Sequence, residues 1–76
     1  MLVLTKSFQR DVIIDSIKYQ VIQNHEKSTL VIKNKKADKY LYVFANKVPP
    51  TIIYKQENKE LIQRVFSKAH VERYML

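Results

Sequence analysis

Glycine is absent from this 76-residue sequence, where an average chain would carry about 7%. That absence excludes every phosphate-binding loop built on bare backbone: the Walker A pattern, the dinucleotide fingerprint and the nucleophile elbow. It also hands each positive-φ turn position to Asn, Asp or His, which tolerate that region less well than glycine does. Cysteine is absent too, so neither a disulfide nor a thiolate metal site can supplement the core. No segment approaches the ~20 apolar residues of a membrane span. Lys6, Arg10 and Asp11 interrupt the apolar start, so no signal peptide is expected and the default location is the cytoplasm. Acidic residues are few: 7 Asp and Glu stand against 14 Lys and Arg, a formal charge of +7. This surplus suits a polyanionic partner such as RNA, DNA or an anionic membrane face, and equally suits simple solubility. The longest basic run, Lys33-Asn34-Lys35-Lys36, is short and interrupted and reads as a solvated loop.

A chain of this length forms one domain, residues 1–76, with a thin core that buries only ~60% of the surface its unfolded form exposes. Dimerisation is a common supplement for so small a core. Strand signals dominate residues 1–55. Met1 to Phe8 opens apolar and is expected to lie within the fold, so that Lys6 sits on an ordered surface. Val12-Ile13-Ile14 is a short β-branched run, with Asp11 and Asp15 expected in the turns that bracket it. Ile17, Tyr19 and Val21 alternate with Lys18 and Gln20, the pattern of a half-buried strand. Asn24 to Ser28 is a turn, and Thr29 to Ile32 completes a hairpin with a four- or five-residue loop. Residues 34–39 form a second connection, Tyr40 to Phe44 a further strand, and Thr51 to Lys55 the last. Pro49 and Pro50 keep the stretch before that last strand out of any central strand. The period changes near Asn58, where Leu61, Ile62, Val65, Phe66 and Ala69 fall at helical spacing. The expected fold is therefore mainly β with a C-terminal helix: about five strands over residues 1–55, then one helix over about 58–73. Glu57 and Glu60 at its start, Lys68 and Arg73 at its end, and a Glu60–Arg64 pair suit the helix dipole and the i,i+4 rule.

Little in the sequence specifies catalysis. His25 reads as a turn residue and His70 as a boundary residue one turn beyond Phe66. Neither Asp11 nor Asp15 has a third ligand in view, so no catalytic residue, metal site or cofactor is expected. Residues suited to nucleic acid are easier to name. Lys6, Lys18 and Lys55 flank or occupy strands, and Tyr40, Tyr42, Phe44 and Tyr54 add rings on which unpaired bases could stack. Tyr42 and Phe44 can equally face inward, and core is the favoured reading for Phe44.

The opening Met1-Leu2-Val3-Leu4-Thr5-Lys6 resembles that of the bacterial carbon storage regulator family, also called repressors of secondary metabolites, which typically begin Met-Leu-(Ile/Val)-Leu-Thr-Arg. The layout continues: residues 11–14, 17–24 and 29–32 stand where the family's second, third and fourth strands lie. Residues 50–57 resemble its Ala-Pro segment, short fifth strand and helix start. The resemblance implies an intertwined homodimer with strands exchanged between subunits. It implies an RNA-binding post-transcriptional regulator that binds GGA-type sites in mRNA leaders and controls translation or message stability. Carried over by position, Leu4, Thr5 and Lys6 line one edge of the RNA site and Ile53, Tyr54 and Lys55 the other, brought together across the dimer. A protein antagonist or a related family member is a further partner the resemblance allows.

The chain also departs from the family. Gln9-Arg10-Asp11 replaces its Gly-Glu pair, and the glycine of its fourth strand is missing. Lysines replace the key arginines, keeping charge but losing the planar fork that reads guanine bidentately. Ser7 stands where a second basic residue is frequent, and residues 33–47 are an insertion. These departures leave open an alternative, a divergent paralogue acting as a protein-interaction module with weak or no RNA binding. A toxin-like ribonuclease is a third and weaker option.

Overall fold

The computed structural model describes residues 4–76. One antiparallel sheet of five strands, in the order β1-β2-β3-β4-β5, is followed by a single helix. The strands are β1 (Phe8–Ile14), β2 (Ile17–Asn24), β3 (Thr29–Asn34), β4 (Lys39–Ala45) and β5 (Thr51–Tyr54). A 3₁₀ turn at Gln56–Asn58 leads into helix α1, Lys59–Lys68. Each strand pairs with its neighbour in sequence, so the β-rich class expected from the pattern is the class observed.

Period-two alternation decides what the sheet buries. In register across all five strands, Phe8, Gln23, Leu30, Phe44 and Ile52 share one face. Arg10, Val21, Ile32, Tyr42 and Tyr54 form the next row on that face. Val21, Leu30, Ile32, Tyr42 and Phe44 are fully buried there against Ile62, Val65 and Phe66 of α1. Helical spacing thus places Ile62, Val65, Phe66 and Ala69 in the core, with Leu61 half-buried beside them. Among the described residues the opposite face of the sheet carries no helix, and across it runs a row of Ile22, Val31, Val43 and Ile53.

The turns answer the lack of glycine. Asp15 and Ser16 make a two-residue connection with φ of 52° and 68°, the double-positive geometry that matches the twist of a tight hairpin. Ser28 and Asp38 take φ of 52° and 53° in the next two turns. Asp and His were expected at such positions; serine at two of them was not. Asn instead serves through its side chain. Asn24 Oδ1 accepts the Lys27 N–H at 3.0 Å, and Asn34 Oδ1 accepts those of Lys36 and Ala37 at 3.1 Å.

Several expectations are corrected. The expected opening strand is not a strand over residues 4–7, Phe8 begins β1, and residues 1–3 lie outside the described residues. The chain is nevertheless tied down there. Leu4 is buried, Gln23 Nε2 donates to the Lys6 carbonyl at 2.9 Å, and the backbone N–H of His25 donates to Ser7 Oγ. Val12–Ile14 is the end of a longer strand, and Asp11 lies within it rather than in a turn. The helix stops at Lys68 because the chain reverses: Ala69 is its C-cap and His70 turns to φ 59°. The Val71 N–H then reaches the Phe66 carbonyl at 2.9 Å and the His70 N–H reaches the Ser67 carbonyl at 3.1 Å, the paired bonds of a Schellman end. Arg64 does not serve Glu60 but reaches Asp15 in the first hairpin turn, 3.2 Å away. Beyond the helix, the chain folds back onto the core. Tyr74 stacks on Phe66 with centroids 4.4 Å apart, and the Tyr42 hydroxyl donates to the Met75 carbonyl at 2.6 Å.

Candidate nucleic-acid interface

The two sets of residues expected to meet an RNA lie on opposite margins of the sheet. Leu4, Thr5 and Lys6 precede β1; Ile53 and Tyr54 end β5, and Lys55 follows it. Four strand spacings separate β1 from β5, roughly 19 Å at ~4.8 Å each. Each set borders its own groove.

The first groove, about 410 Å³, is lined by Leu4, Thr5, Lys6, Phe8, Arg10 and Gln23 on the sheet side and by residues 70–73 beyond the helix. The Leu4 side chain belongs to the core, so only its backbone is available at the groove. Its carbonyl lies 2.6 Å from His25 Nδ1, a hydrogen bond that places the proton on Nδ1. Thr5 and Lys6 are exposed, with the Lys6 ammonium 5.9 Å from the Phe8 ring centroid. Arg10 packs its guanidinium 4.1 Å from the same ring and donates to the Ala69 carbonyl at 2.6 Å. It thereby caps the helix C-terminus, where a cation suits the dipole. Lys68 is committed similarly, donating to the Ile13 carbonyl at 2.6 Å.

The second groove, about 400 Å³, lies between the β3–β4 turn and β5. Leu41, Val43 and Ile53 give it an aliphatic floor, Tyr40 and Tyr54 border it, and Lys39 and Lys55 are its charges. Ile53 is on the open face of the sheet, in register with Val43, while Tyr54 is on the helix face, in register with Tyr42. Both reach the groove because β5 is an edge strand. Tyr54 is half-buried, its ring centroid 6.1 Å from that of Tyr42.

Of the four aromatic candidates, Tyr42 and Phe44 are fully buried, which agrees with the core reading for Phe44 and removes Tyr42 from any interface. Burial pushes the Tyr42 hydroxyl up to about 12. Tyr40 is the exposed ring, at 62% of its full accessibility. Its exposure follows from a register shift in the β3–β4 ladder: Ile32 pairs with Tyr42 but Lys33 with Tyr40, so Leu41 is the extra residue. Period two alone could not foresee that bulge.

Among the described residues, carboxylates neutralise some of the cations nearby. Asp38 hydrogen-bonds Lys33 at 2.7 Å and, by that bond and its charge, holds the ammonium above the ordinary lysine range. Lys33 in turn holds Asp38 below the ordinary carboxylate range. Lys35 pairs with Asp11 at 3.5 Å. Neither Lys6 nor Lys55 is in an ion pair among the described residues. Lys18 is exposed at the start of β2. His25 and His70 lie in separate turns, and among the described residues no three His, Cys, Asp or Glu gather as a metal ion would require. No helix among them is long and apolar enough to cross a membrane.

Fold and grooves together define a small β-rich α+β protein, a five-stranded meander backed by one helix and basic at both sheet margins. No family model, curated protein or solved structure matches the chain.

Proposed function

We propose that this chain is an RNA-binding post-transcriptional regulator of the carbon storage regulator type, acting in the cytoplasm on GGA-bearing mRNA leaders. Leu4, Thr5 and Lys6 form one edge of its site, and Ile53, Tyr54 and Lys55 the other. The observation that carries the reading is the pair of exposed lysines, Lys6 and Lys55, each beside a groove on a free margin of the sheet. Because those margins are opposed within one chain, the site takes both from different subunits of a homodimer. In that dimer residues 4–7, which are not a strand in the single chain, leave the core contact of Leu4 and the bonds of the Leu4 and Lys6 carbonyls to His25 and Gln23 and exchange onto β5 of the partner subunit. In that role they supply backbone groups to base edges, and the lysines hold phosphate. No chemical step is assigned to the chain.

A second reading, a protein-interaction module built on the same scaffold, draws on the open sheet face. There Ile22, Val31, Val43 and Ile53 form an apolar row, and Ile53 is 61% exposed. A gel shift with GGA and GGA-less hairpins, combined with a solution mass, separates the two. A dimer that retards the GGA hairpin preferentially supports the regulator. A monomer that ignores both RNAs removes it.

A further inference from the structure

We infer that the groove between the β3–β4 turn and β5 holds an unpaired base of single-stranded nucleic acid, with Tyr40 as its stacking face. The inference rests on the nucleic-acid reading above but needs no dimer, since every lining residue belongs to one chain. The inserted segment thereby acquires a role, because Lys39, Tyr40, Leu41 and Val43 all come from it.

Three observations converge. The groove is charge-complementary to a polyanion: Lys39 and Lys55 line it and no carboxylate does. By contrast, the groove beside α1 mixes Asp15 and Glu60 with Arg64 and Lys68. Its shape suits a flat ring, because the aliphatic floor of Leu41, Val43 and Ile53 is bordered by an exposed tyrosine. Its volume of about 400 Å³ falls within the range of small-ligand sites. Its polar groups discriminate as well. Asn34 Oδ1 is committed to the turn amides of Lys36 and Ala37, so the Asn34 side chain meets a ligand with its NH₂ donors. Those donors and the two cations suit carbonyl-bearing base edges and phosphate. An acidic peptide would satisfy the lysines but leave the exposed ring without a planar partner.

The test uses a fluorescein-labelled single-stranded RNA octamer containing GGA, its counterpart with abasic sites throughout, and an oligoglutamate peptide of equal charge. Loss of one stacked base weakens binding about 5- to 150-fold, so Tyr40→Ala should fall in that range for the octamer while Tyr40→Phe stays within about twofold. The abasic octamer should bind wild type and Tyr40→Ala alike. Undiminished octamer binding by Tyr40→Ala overturns this inference and leaves the regulator reading standing. A wild-type chain that binds no RNA overturns both. Oligoglutamate bound more tightly than the octamer, with the same dependence on Tyr40, overturns it in favour of an acidic protein partner. Tyr40 lies outside the core, and unchanged circular dichroism of the variants confirms that they fold.

Discussion

At the scale of single residues, the lack of glycine leaves strain that substitution can relieve. Ser16 and His70 both sit at positive φ, a conformation that costs an L-residue about 1–2 kcal/mol. Ser16→Gly and His70→Gly should each raise stability by about 0.5–1 kcal/mol once the added freedom of the unfolded chain is offset. Urea midpoints check this, and a fall in either midpoint would contradict it. Tyr42 offers a second residue-scale test. Burial raises its hydroxyl to about 12, whereas the unfolded chain ionises near 10. The protonated form is therefore favoured by folding, so its contribution is intact below pH 10 and is lost between pH 10 and 12. Tyr42→Phe cannot ionise at that position, so its stability should decline less over that window than the wild type's. Lysine titration is common to both forms and cancels in the comparison. Parallel pH profiles would refute the assignment.

Among elements, α1 and the chain beyond it close the core that the sheet opens. Phe66 meets Tyr42 edge-on at 5.0 Å and Tyr74 in a stack, so one helical side chain joins the middle of the sheet to the returning C-terminal segment. Phe66→Ala should cost about 3–5 kcal/mol, measured by denaturant unfolding; a loss below about 1 kcal/mol would mean that this junction carries little of the fold. The elements themselves were largely legible. Alternation at Ile17, Tyr19 and Val21 marked β2, the polar stretch after it marked the turn, and the spacing of Ile62, Val65 and Phe66 marked α1 and its buried face. What escaped the sequence had local physical causes. The helix end is set by His70 adopting a left-handed conformation that glycine usually marks. The exposure of Tyr40 comes from a bulge at Leu41, which alternation does not encode. The apolar opening suggested a strand, yet its Leu4 and Lys6 carbonyls are met by the His25 ring and the Gln23 side chain rather than by a strand ladder.

For the whole molecule, the sheet is a meander whose margins among the described residues are β1 and β5, and the expected RNA residues are divided between them. That division makes oligomeric state part of the functional claim. An intertwined pair has twice the mass of the 9.1 kDa chain, and analytical ultracentrifugation should find it at micromolar concentration. On the proposed reading binding is electrostatic, with Lys6 and Lys55 holding phosphates rather than reading bases. The decisive measurement is the affinity for a GGA hairpin titrated across salt concentrations, for wild type and for Lys6→Ala/Lys55→Ala. Each lost phosphate contact lowers the slope of log K against log salt by about 0.7–0.9, so the double variant should bind more weakly with a slope shallower by about 1.5. Equal affinity and equal slope for the two proteins would contradict the account.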